Sequence, residues 1–242
     1  MNNPQQSQKN YYDNTLPKHQ RYQSYLVYTK YLTKKLIEFC QKNRINMLEV
    51  GCGQGRFTME LARFTKRLTA IDISKTAVIQ TQNNAKKYMQ NNISVKVRDM
   101  LTLGNSLQDK YDHIVGFFIL HHLPRPKYQN MVKQFIKILD KNSKLVFLEP
   151  NRFCPFYLIQ IAIDKDMKWE FEKGTFTPFL EDFSKACNRE GLKKVSKVRF
   201  GFLPPFVMNR FPKLLFLDRI VERIPILNII LCPFMVIGYM KV

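Results

Sequence analysis

The stretch that decides the fold is Leu48-Glu49-Val50-Gly51-Cys52-Gly53-Gln54-Gly55-Arg56. It predicts the end of a strand, a turn with glycines at alternate positions, and the beginning of a helix. Glycine lets the backbone come close to a ligand, and the start of a helix offers free amide donors. A dinucleotide site has the spacing G-x-G-x-x-G, but Arg56 stands where its third glycine would be. The turn therefore favours another ligand, with a merely tight strand-to-helix connection as the structural alternative.

Segments with strand-like and helix-like patterns alternate around this turn. Such alternation predicts right-handed crossovers and a parallel sheet covered by helices on both faces. Strands are predicted at Ile45–Val50, Arg67–Ile71, Ile93–Arg98, His113–Phe118, Lys144–Leu148, Leu192–Phe200 and Pro233–Val242. Helices are predicted at Tyr22–Gln41, Gly55–Thr65, Ser74–Gln90, Pro126–Leu139, Phe179–Asn188 and Lys213–Arg223.

Two further acidic residues stand at the ends of the next strands. Asp72 ends the second predicted strand, where a carboxylate can accept both hydroxyls of a ribose. Asp99 follows the third predicted strand, where its carboxylate can accept a hydrogen bond from the exocyclic amine of a base while the amide of Met100 donates one to the ring of that base. The carboxyl ends of successive parallel strands line one crevice, in which such folds bind ligands. Together with Glu49, these residues predict a pocket for an adenosine whose other end is positively charged and carries no phosphate.

With these residues in view, the chain resembles class I S-adenosylmethionine-dependent methyltransferases. Four segments match in order and spacing, and a fifth matches more loosely. The resemblance implies an α/β fold: a Rossmann-like three-layer sandwich with a seven-stranded, mostly parallel sheet and a C-terminal antiparallel hairpin. The matching segments are LEVGCGQG (48–55), LTAIDIS (68–74), VRDM (97–100), YDHIVGFFILHHLP (111–124) and, loosely, LDKNSKLVFLEPN (139–151).

Carried over position by position, the resemblance implies a site for S-adenosyl-L-methionine. Glu49 and the glycines would surround the methionine part, and Asp72 would hold the ribose. One departure is the turn 141–144, Lys-Asn-Ser-Lys, where the family usually has glycines. The absence of an N-P-P-Y tetrapeptide after the fourth strand argues against methylation of DNA adenine or glutamine side chains. The cofactor-binding residues implied are Glu49, Gly51, Cys52, Gly53, Gly55, Asp72, Ile73, Asp99, Met100, Gly116 and Phe117.

Methyl transfer from a sulfonium is an in-line displacement that depends mainly on positioning, an effect that can contribute ~7–11 kcal/mol. A base is needed only if the acceptor arrives protonated. The candidates are His122 and, behind it, His121, because histidine titrates near neutral pH. The structural alternative is that one packs on the sheet and the other caps the loop. No metal site is expected, because the five cysteines are scattered and form no C-x-x-C pair.

The domain prediction has two parts. Residues 1–21 are predicted to be a polar, flexible N-terminal tail, and residues 22–242 a single methyltransferase domain with acceptor-side insertions near 151–178 and 201–230. These insertions are rich in aromatic residues. We expect them to wall an apolar pocket that faces the Gly116–His122 loop, with lid packing as the alternative. The aromatic residues concerned are Phe153, Phe156, Tyr157, Trp169, Phe202, Phe206, Phe211 and Phe216.

The charge balance is unusual, since 39 Lys+Arg against 19 Asp+Glu give a net charge of +20. Such a chain is attracted to an anionic partner, although a solvated basic surface explains the spread-out excess equally well. Peripheral contact with an anionic membrane is one interpretation. Nucleic acid is the weaker one, because no dense basic patch is visible. Ile224–Met240 is uncharged but has only 17 residues and two prolines, which predicts a short apolar helix and a buried strand rather than a transmembrane span.

The scattered cysteines and the lack of an apolar N-terminal segment predict a cytoplasmic protein, with the membrane surface as a further location. No obligate protein partner is evident. We therefore expect a methyltransferase that acts on a small, lipid-like or amphipathic apolar acceptor, with O- or C-methylation favoured. The alternatives are an RNA methyltransferase and a non-catalytic S-adenosylmethionine-binding protein. A dehydrogenase is disfavoured by Arg56 and by the terminal hairpin.

Overall fold

The computed structural model describes residues 10, 13, 26–40, 46–105, 109–163 and 167–242, without the side chains of residues 105, 163, 205, 206 and 209. The strands are β1 Asn46–Val50, β2 Arg67–Asp72, β3 Ile93–Val97, β4 Tyr111–Phe117, β5 Leu139–Pro150, β6 Leu192–Phe200 and β7 Phe234–Lys241. The α-helices are α1 Leu26–Ile37, α2 Thr58–Leu61, α3 Lys75–Lys87, α4 Tyr128–Ile138, α5 Pro155–Ile163, α6 Trp169–Glu172, α7 Phe179–Arg189, α8 Pro205–Arg210, α9 Leu215–Arg223 and α10 Pro225–Leu231.

The seven strands form one sheet in the order β3-β2-β1-β4-β5-β7-β6. Strands β1 to β5 pair in parallel, whereas β7 runs antiparallel to both β5 and β6. The strand order reverses between β1 and β4, and in open α/β sheets the crevice for ligands opens at this point, beyond the carboxyl ends of the strands. The predicted Rossmann-like sheet with its antiparallel C-terminal hairpin is confirmed.

Apolar side chains of the central strands alternate between two cores, one on each face of the sheet. In β5, Phe147 points to a core shared with Phe135 of α4 and Phe183 of α7. The next residue, Leu148, points to the opposite core, which Leu32 of α1 also enters. Burying a side chain of this size stabilises the fold by about 1.5–3 kcal/mol. The result is three layers, with helices on both faces of a buried sheet.

The fifth strand is longer than the predicted Lys144–Leu148, because it begins at Leu139 directly after α4. Asn142 lies in this extension with a φ of 59°, in the left-handed region. Asparagine adopts this conformation more readily than other residues with a side chain. Asn142 thus supplies the backbone geometry for which the resembling family uses glycine, and the departure at this turn has a local explanation.

Other predicted elements agree in place and differ in length. The predicted helix Gly55–Thr65 consists of α2 followed by a 3-10 turn at Ala62–Phe64. A short apolar helix and a buried last strand were expected in 224–240, and α10 and β7 confirm them. In contrast, α5 was not predicted, because its sequence PFYLIQIAI is apolar on every side. Among the described residues, no helix is long and apolar enough to cross a membrane.

The helix predicted at Tyr22–Gln41 is observed from Leu26 to Ile37, and its first predicted residues lie outside the described part of the chain. Apart from residues 10 and 13, the same holds for the predicted tail 1–21. The division into a tail and one domain with insertions stays a prediction.

Candidate functional site

The glycine turn leaves β1 in a conformation that side chains disfavour. Gly51, Gly53 and Gly55 have φ values of 72°, 52° and 81°. A Cβ on Gly51 would also lie 2.7 Å from the side chain of Ile119, so the turn is closely packed there. At Gly53 nothing lies within 4 Å of such a Cβ, which leaves space beside the backbone. Glycine is thus required for the path of the chain, and it keeps the space at Gly53 open.

Asp72, at the end of β2, is tied to the glycine turn. Its Oδ2 accepts a hydrogen bond of 2.9 Å from the amide of Gly53, and its Oδ1 accepts one of 2.8 Å from the amide of Ser74. Burial raises the pKa of Asp72 even though these amides oppose the shift. The hydroxyl of Ser74 donates to Asp13, which brings a residue of the N-terminal region to the same place. Asp72 therefore holds the turn in place and adds a half-buried carboxylate beside it.

Glu49, the last residue but one of β1, is a buried acid. Only 2% of the residue is exposed, and its Oε2 has no hydrogen-bond partner within the described part of the chain. Burial raises the pKa of Glu49 to about 8; the nearby hydroxyl of Thr58 opposes this shift, and the charge of Asp72 adds to it. A carboxylate buried without a partner costs stability unless a cation or a donor meets it. Glu49 is thus a strong candidate for contact with a positively charged group.

Asp99 and Met100 follow β3 at the same edge of the sheet. The amide of Arg98 donates to the carbonyl of Asp72 at 3.0 Å, which joins the ends of β2 and β3. Oδ1 of Asp99 accepts from the amide of Leu101 at 2.9 Å, so the carboxylate is oriented by its own turn. Both Asp99 and Met100 are half-buried. The three predicted acids thus lie at the carboxyl ends of the adjacent strands β1, β2 and β3.

The remaining predicted cofactor residues differ in exposure. A Cβ on Gly116 would lie 2.7 Å from the ring of Phe147, so only glycine fits at this point of β4. Phe117 is buried and stacks on Phe57 with ring centroids 4.0 Å apart. Cys52 is buried, whereas Ile73, after Asp72, is 37% exposed.

His121 is held between two glutamates. Its Nδ1 lies 2.7 Å from Oε2 of Glu149, and its Nε2 lies 3.3 Å from Oε2 of Glu172. Glu149 also accepts hydrogen bonds from the amides of Ile119 and Leu120. Burial alone would lower the pKa of His121, but the two carboxylates raise it to about 9. His121 is therefore protonated at neutral pH, and this ion pair fixes the loop that follows β4.

His122 is in the opposite state. Burial and the neighbouring charge of His121 lower its pKa to about 3. Its Nδ1 lies 3.2 Å from the carbonyl oxygen of Phe171. A carbonyl only accepts, so Nδ1 carries the proton and Nε2 keeps its lone pair. At neutral pH, His122 is thus a neutral imidazole with a proton-accepting nitrogen.

Residues 168–177 pack directly on this loop. Glu172 accepts a hydrogen bond of 2.7 Å from the hydroxyl of Tyr157, and a Cβ on Gly174 would lie only 2.0 Å from the carbonyl oxygen of His121. The predicted contact between the first insertion and the Gly116–His122 loop is therefore present. The pocket-lining aromatics are placed differently. Five of these residues are 44–56% exposed, so their side chains do not close a pocket; they are Phe153, Phe156, Trp169, Phe211 and Phe216. Phe206, also predicted, lies outside the described side chains.

His121, His122 and Glu172 each offer a possible ligand atom, and these atoms lie within 4.8 Å of one another. Both nitrogens of His121 already face carboxylates, so the ion pairs explain this cluster without a metal ion. The expectation that no metal is bound stays a prediction. All five cysteines are free.

Sequence reasoning did not find Glu149 and Glu172. Glu149 had a local signal, because it is a glutamate that directly follows the apolar run Leu145–Leu148. Glu172 had none, since its partner His121 lies 51 positions earlier in the chain and only the packing of residues 168–177 brings the two together.

With the geometry established, comparison with known proteins identifies the central part of the chain. Residues 47–142 match a family model described as a methyltransferase domain. A ubiquinone biosynthesis O-methyltransferase of Coxiella burnetii is 31% identical over 117 residues, which are 48% of this chain and 48% of that protein. The chain thus aligns with about half the length of this curated relative.

Two solved structures match over nearly their whole length. The geranyl diphosphate C-methyltransferase of Streptomyces coelicolor has a TM-score of 0.63 and 13% identity, covering 100% of this chain and 99% of that one. The magnesium protoporphyrin IX methyltransferase of Synechocystis, crystallised with S-adenosylmethionine, has a TM-score of 0.60 and 14% identity with the same coverage. At such low identity the likeness concerns the fold.

Proposed function

Since the chain carries a class I, Rossmann-like methyltransferase domain, we propose that it transfers a methyl group from S-adenosylmethionine to a small or amphipathic apolar acceptor, on oxygen or carbon. The observation that carries this proposal is the buried carboxylate of Glu49. Its Oε2 has no partner among the described residues, and it stands before a glycine turn with open space at Gly53. The ammonium group of the cofactor's methionine part would satisfy this oxygen.

The remaining cofactor contacts follow from the strand ends. Asp72 would accept the ribose hydroxyls, and Asp99 with the amide of Met100 would hold the adenine. A diphosphate, in contrast, would meet the carboxylates of Glu49 and Asp72 close to the same turn. An ammonium group stabilises the ionised form of Glu49, whereas a diphosphate would be repelled by the Asp72 carboxylate and would oppose ionisation of Glu49, so this arrangement supports a cationic adenosine derivative over a dinucleotide.

Catalysis in this proposal depends mainly on holding the acceptor in line with the methyl group and the sulfur. Such positioning can contribute roughly 7–11 kcal/mol. If the acceptor is a hydroxyl, we propose that His122 accepts its proton at Nε2, because the imidazole is neutral and Nδ1 faces a carbonyl oxygen. Its lowered pKa makes it a weak base, so its contribution lies at the low end for general-base catalysis. His121 is already protonated, so we assign it a positioning role through its ion pairs with Glu149 and Glu172.

The acceptor class is inferred from the relatives and from the surface. The compared proteins include a ubiquinone biosynthesis O-methyltransferase and a geranyl diphosphate C-methyltransferase. The exposed aromatic residues of the first insertion form an open apolar surface rather than a closed pocket, and such a surface would suit a lipid-like acceptor. The net charge of +20 supports contact with an anionic membrane, where a lipid-like acceptor would be found.

The experiment is transfer of labelled methyl groups from S-adenosylmethionine into separate lipid, small-molecule, RNA and protein extracts. Asp72→Ala, which loses the proposed ribose contact, is the control. We expect label in the lipid or small-molecule fraction with the wild-type protein and much less with the variant. Label in RNA would favour the nucleic-acid alternative. Binding of S-adenosylhomocysteine without label in any fraction would favour a non-catalytic binding protein.

A further inference from the structure

Helices α5 and α10 contain no charged residue, and both expose apolar side chains to solvent. In α5, Phe156, Leu158 and Ile159 point to solvent, while Tyr157 and Ile161 are buried on the other side. In α10 the exposed side chains are Ile226, Leu227, Ile229 and Ile230, of which Ile226 reaches 71% exposure. Contiguous apolar surface of this kind on a folded chain marks a contact site.

Helix α9 adds positive charge to the same surface. Phe216, Arg219, Ile220 and Arg223 are exposed and follow the helical spacing of three and four residues, so they form one outward stripe. An apolar and cationic stripe is typical of helices that lie at a membrane surface.

The acidic residues of α9 point the other way. Asp218 is buried and accepts hydrogen bonds of 2.8 Å from the hydroxyl of Tyr31 and from the amide of Leu203. Glu222 forms an ion pair of 2.7 Å with Lys35 on α1. The fold thus uses both acids of this helix internally and leaves its arginines outside.

Helix α10 connects the other two helices. Helix α10 packs against both α9 and α5. The side-chain amide of Asn151, at the end of β5, donates to the carbonyls of Ile229 and Cys232 at 2.8 Å and fixes α10 to the sheet. We call the exposed side chains of α5, α9 and α10 the apolar-cationic face.

We infer that the apolar-cationic face docks on a bilayer with anionic headgroups, its apolar side chains entering the interface and Arg219 and Arg223 meeting the lipid phosphates. This inference specifies the membrane contact that is part of the proposed function, and it rests on that function for its biological purpose. Docking itself does not require methyl transfer. Each of these helices has at most nine residues and is therefore at most about 14 Å long, which suits an interfacial position and not a span of about 30 Å.

The charge of the apolar-cationic face favours an anionic bilayer over a second copy of the chain or an RNA. A symmetric pair of copies would bury the arginines of both faces in one interface, and the acids of α9, Asp218 and Glu222, are already used inside the fold and could not pair with them. An RNA would satisfy the arginines but would leave the isoleucines of α10 against a phosphate backbone. An anionic bilayer complements both parts of the face.

Co-sedimentation with vesicles tests the inference. The probes are vesicles of phosphatidylcholine alone and of phosphatidylcholine with phosphatidylglycerol. We expect binding to the anionic vesicles only, weakened about 30-fold in Arg219→Ala/Arg223→Ala, because each basic residue near the surface contributes about fivefold. Ile226→Ser/Ile230→Ser should weaken it about tenfold or more. Lys86→Ala/Lys87→Ala and Met89→Ser, which change exposed residues at the end of α3, are the matched controls and should bind like the wild type.

Each variant is also titrated with S-adenosylhomocysteine, which separates failure of this inference from failure of the proposed function. Retained cofactor binding with lost vesicle binding shows that a variant is folded and supports the docking face. The inference is overturned if vesicles are not bound, if neutral vesicles bind equally well, or if the face and control variants behave alike. A dimer in solution that Ile226→Ser/Ile230→Ser dissociates, without vesicle binding, would assign the face to a second copy instead.

Discussion

Replacing Glu49 by glutamine should separate cofactor binding from stability. The carboxylate is buried, its Oε2 is unpartnered among the residues described, and its pKa is raised to about 8. At pH 7 the side chain is therefore mostly protonated, whereas an ammonium ligand requires the charged form. Binding must release about one proton from Glu49.

The magnitude follows from this linkage. Each pH unit below the pKa costs about tenfold in affinity, so S-adenosylhomocysteine should bind roughly 25-fold more tightly at pH 7.5 than at pH 6. Glu49→Gln should abolish this dependence. It should also weaken binding at pH 7.5 by about tenfold or more, because a hydrogen bond to a charged group contributes about 1.5–3 kcal/mol.

As the pH rises, the stability of the wild-type protein should fall while its affinity for S-adenosylhomocysteine increases. The folded pKa of Glu49 is raised, so the folded state binds more protons than the unfolded state between about pH 4.5 and pH 8. The wild-type protein thus loses about 1.4 kcal/mol per pH unit in this window. Glu49→Gln does not have this loss. The melting temperature of the variant minus that of the wild type should therefore be roughly 5–10 °C higher at pH 7.5 than at pH 5.5.

Titration calorimetry in two buffers of different ionisation enthalpy measures both the affinity and the proton release, and thermal melts measure stability. Asp140→Asn, which alters an exposed acid in β5, is the control and should change neither. Wild-type affinity that does not vary from pH 6 to pH 7.5, or equal proton release by wild type and Glu49→Gln, would refute the reasoning.

Three further changes test other parts of the site. Asp72→Asn removes a charged acceptor and should weaken S-adenosylhomocysteine by about 10–150-fold in calorimetry; unchanged affinity would exclude the ribose contact. With a hydroxyl acceptor, His122→Gln should lower kcat by about 100-fold, the low end for a general base because the lowered pKa makes His122 a weak one, while cofactor affinity holds; an equal effect on binding would argue against a base. Gly174→Ala forces a Cβ to within 2.0 Å of the His121 carbonyl oxygen and should cost about 3 kcal/mol in thermal unfolding. Gly191→Ala, with nothing within 4 Å, should cost only about 1–2 kcal/mol from its positive φ, and equal losses would contradict the packing argument.

The parts of the fold that local sequence controls were predictable. The glycine turn, Asp72 and Asp99 each stand at the end of a strand with a clear apolar pattern, so the sheet and its ligand-binding edge followed from short segments. The antiparallel pairing of β6 and β7 required the family resemblance, because no local pattern orders strands so far apart in the chain.

The parts that depend on contacts distant in sequence were not predictable. Glu172 meets His121 only through the packing of residues 168–177, and the opposite protonation of His121 and His122 is a consequence of that packing. His121 and His122 are adjacent and of the same residue type, so no sequence signal indicated the difference in their protonation. Exposure of α10 was equally hidden, since an apolar segment of its composition is more often buried.

Binding of S-adenosylhomocysteine against that of NAD⁺, compared by titration calorimetry on the same wild-type protein, tests the site most directly. The acids Glu49 and Asp72 beside the glycine turn predict saturable binding of S-adenosylhomocysteine, one ligand per chain, and no measurable binding of NAD⁺. Tighter binding of NAD⁺, or no binding of S-adenosylhomocysteine, would contradict the assignment of this turn to a methyl-donor site.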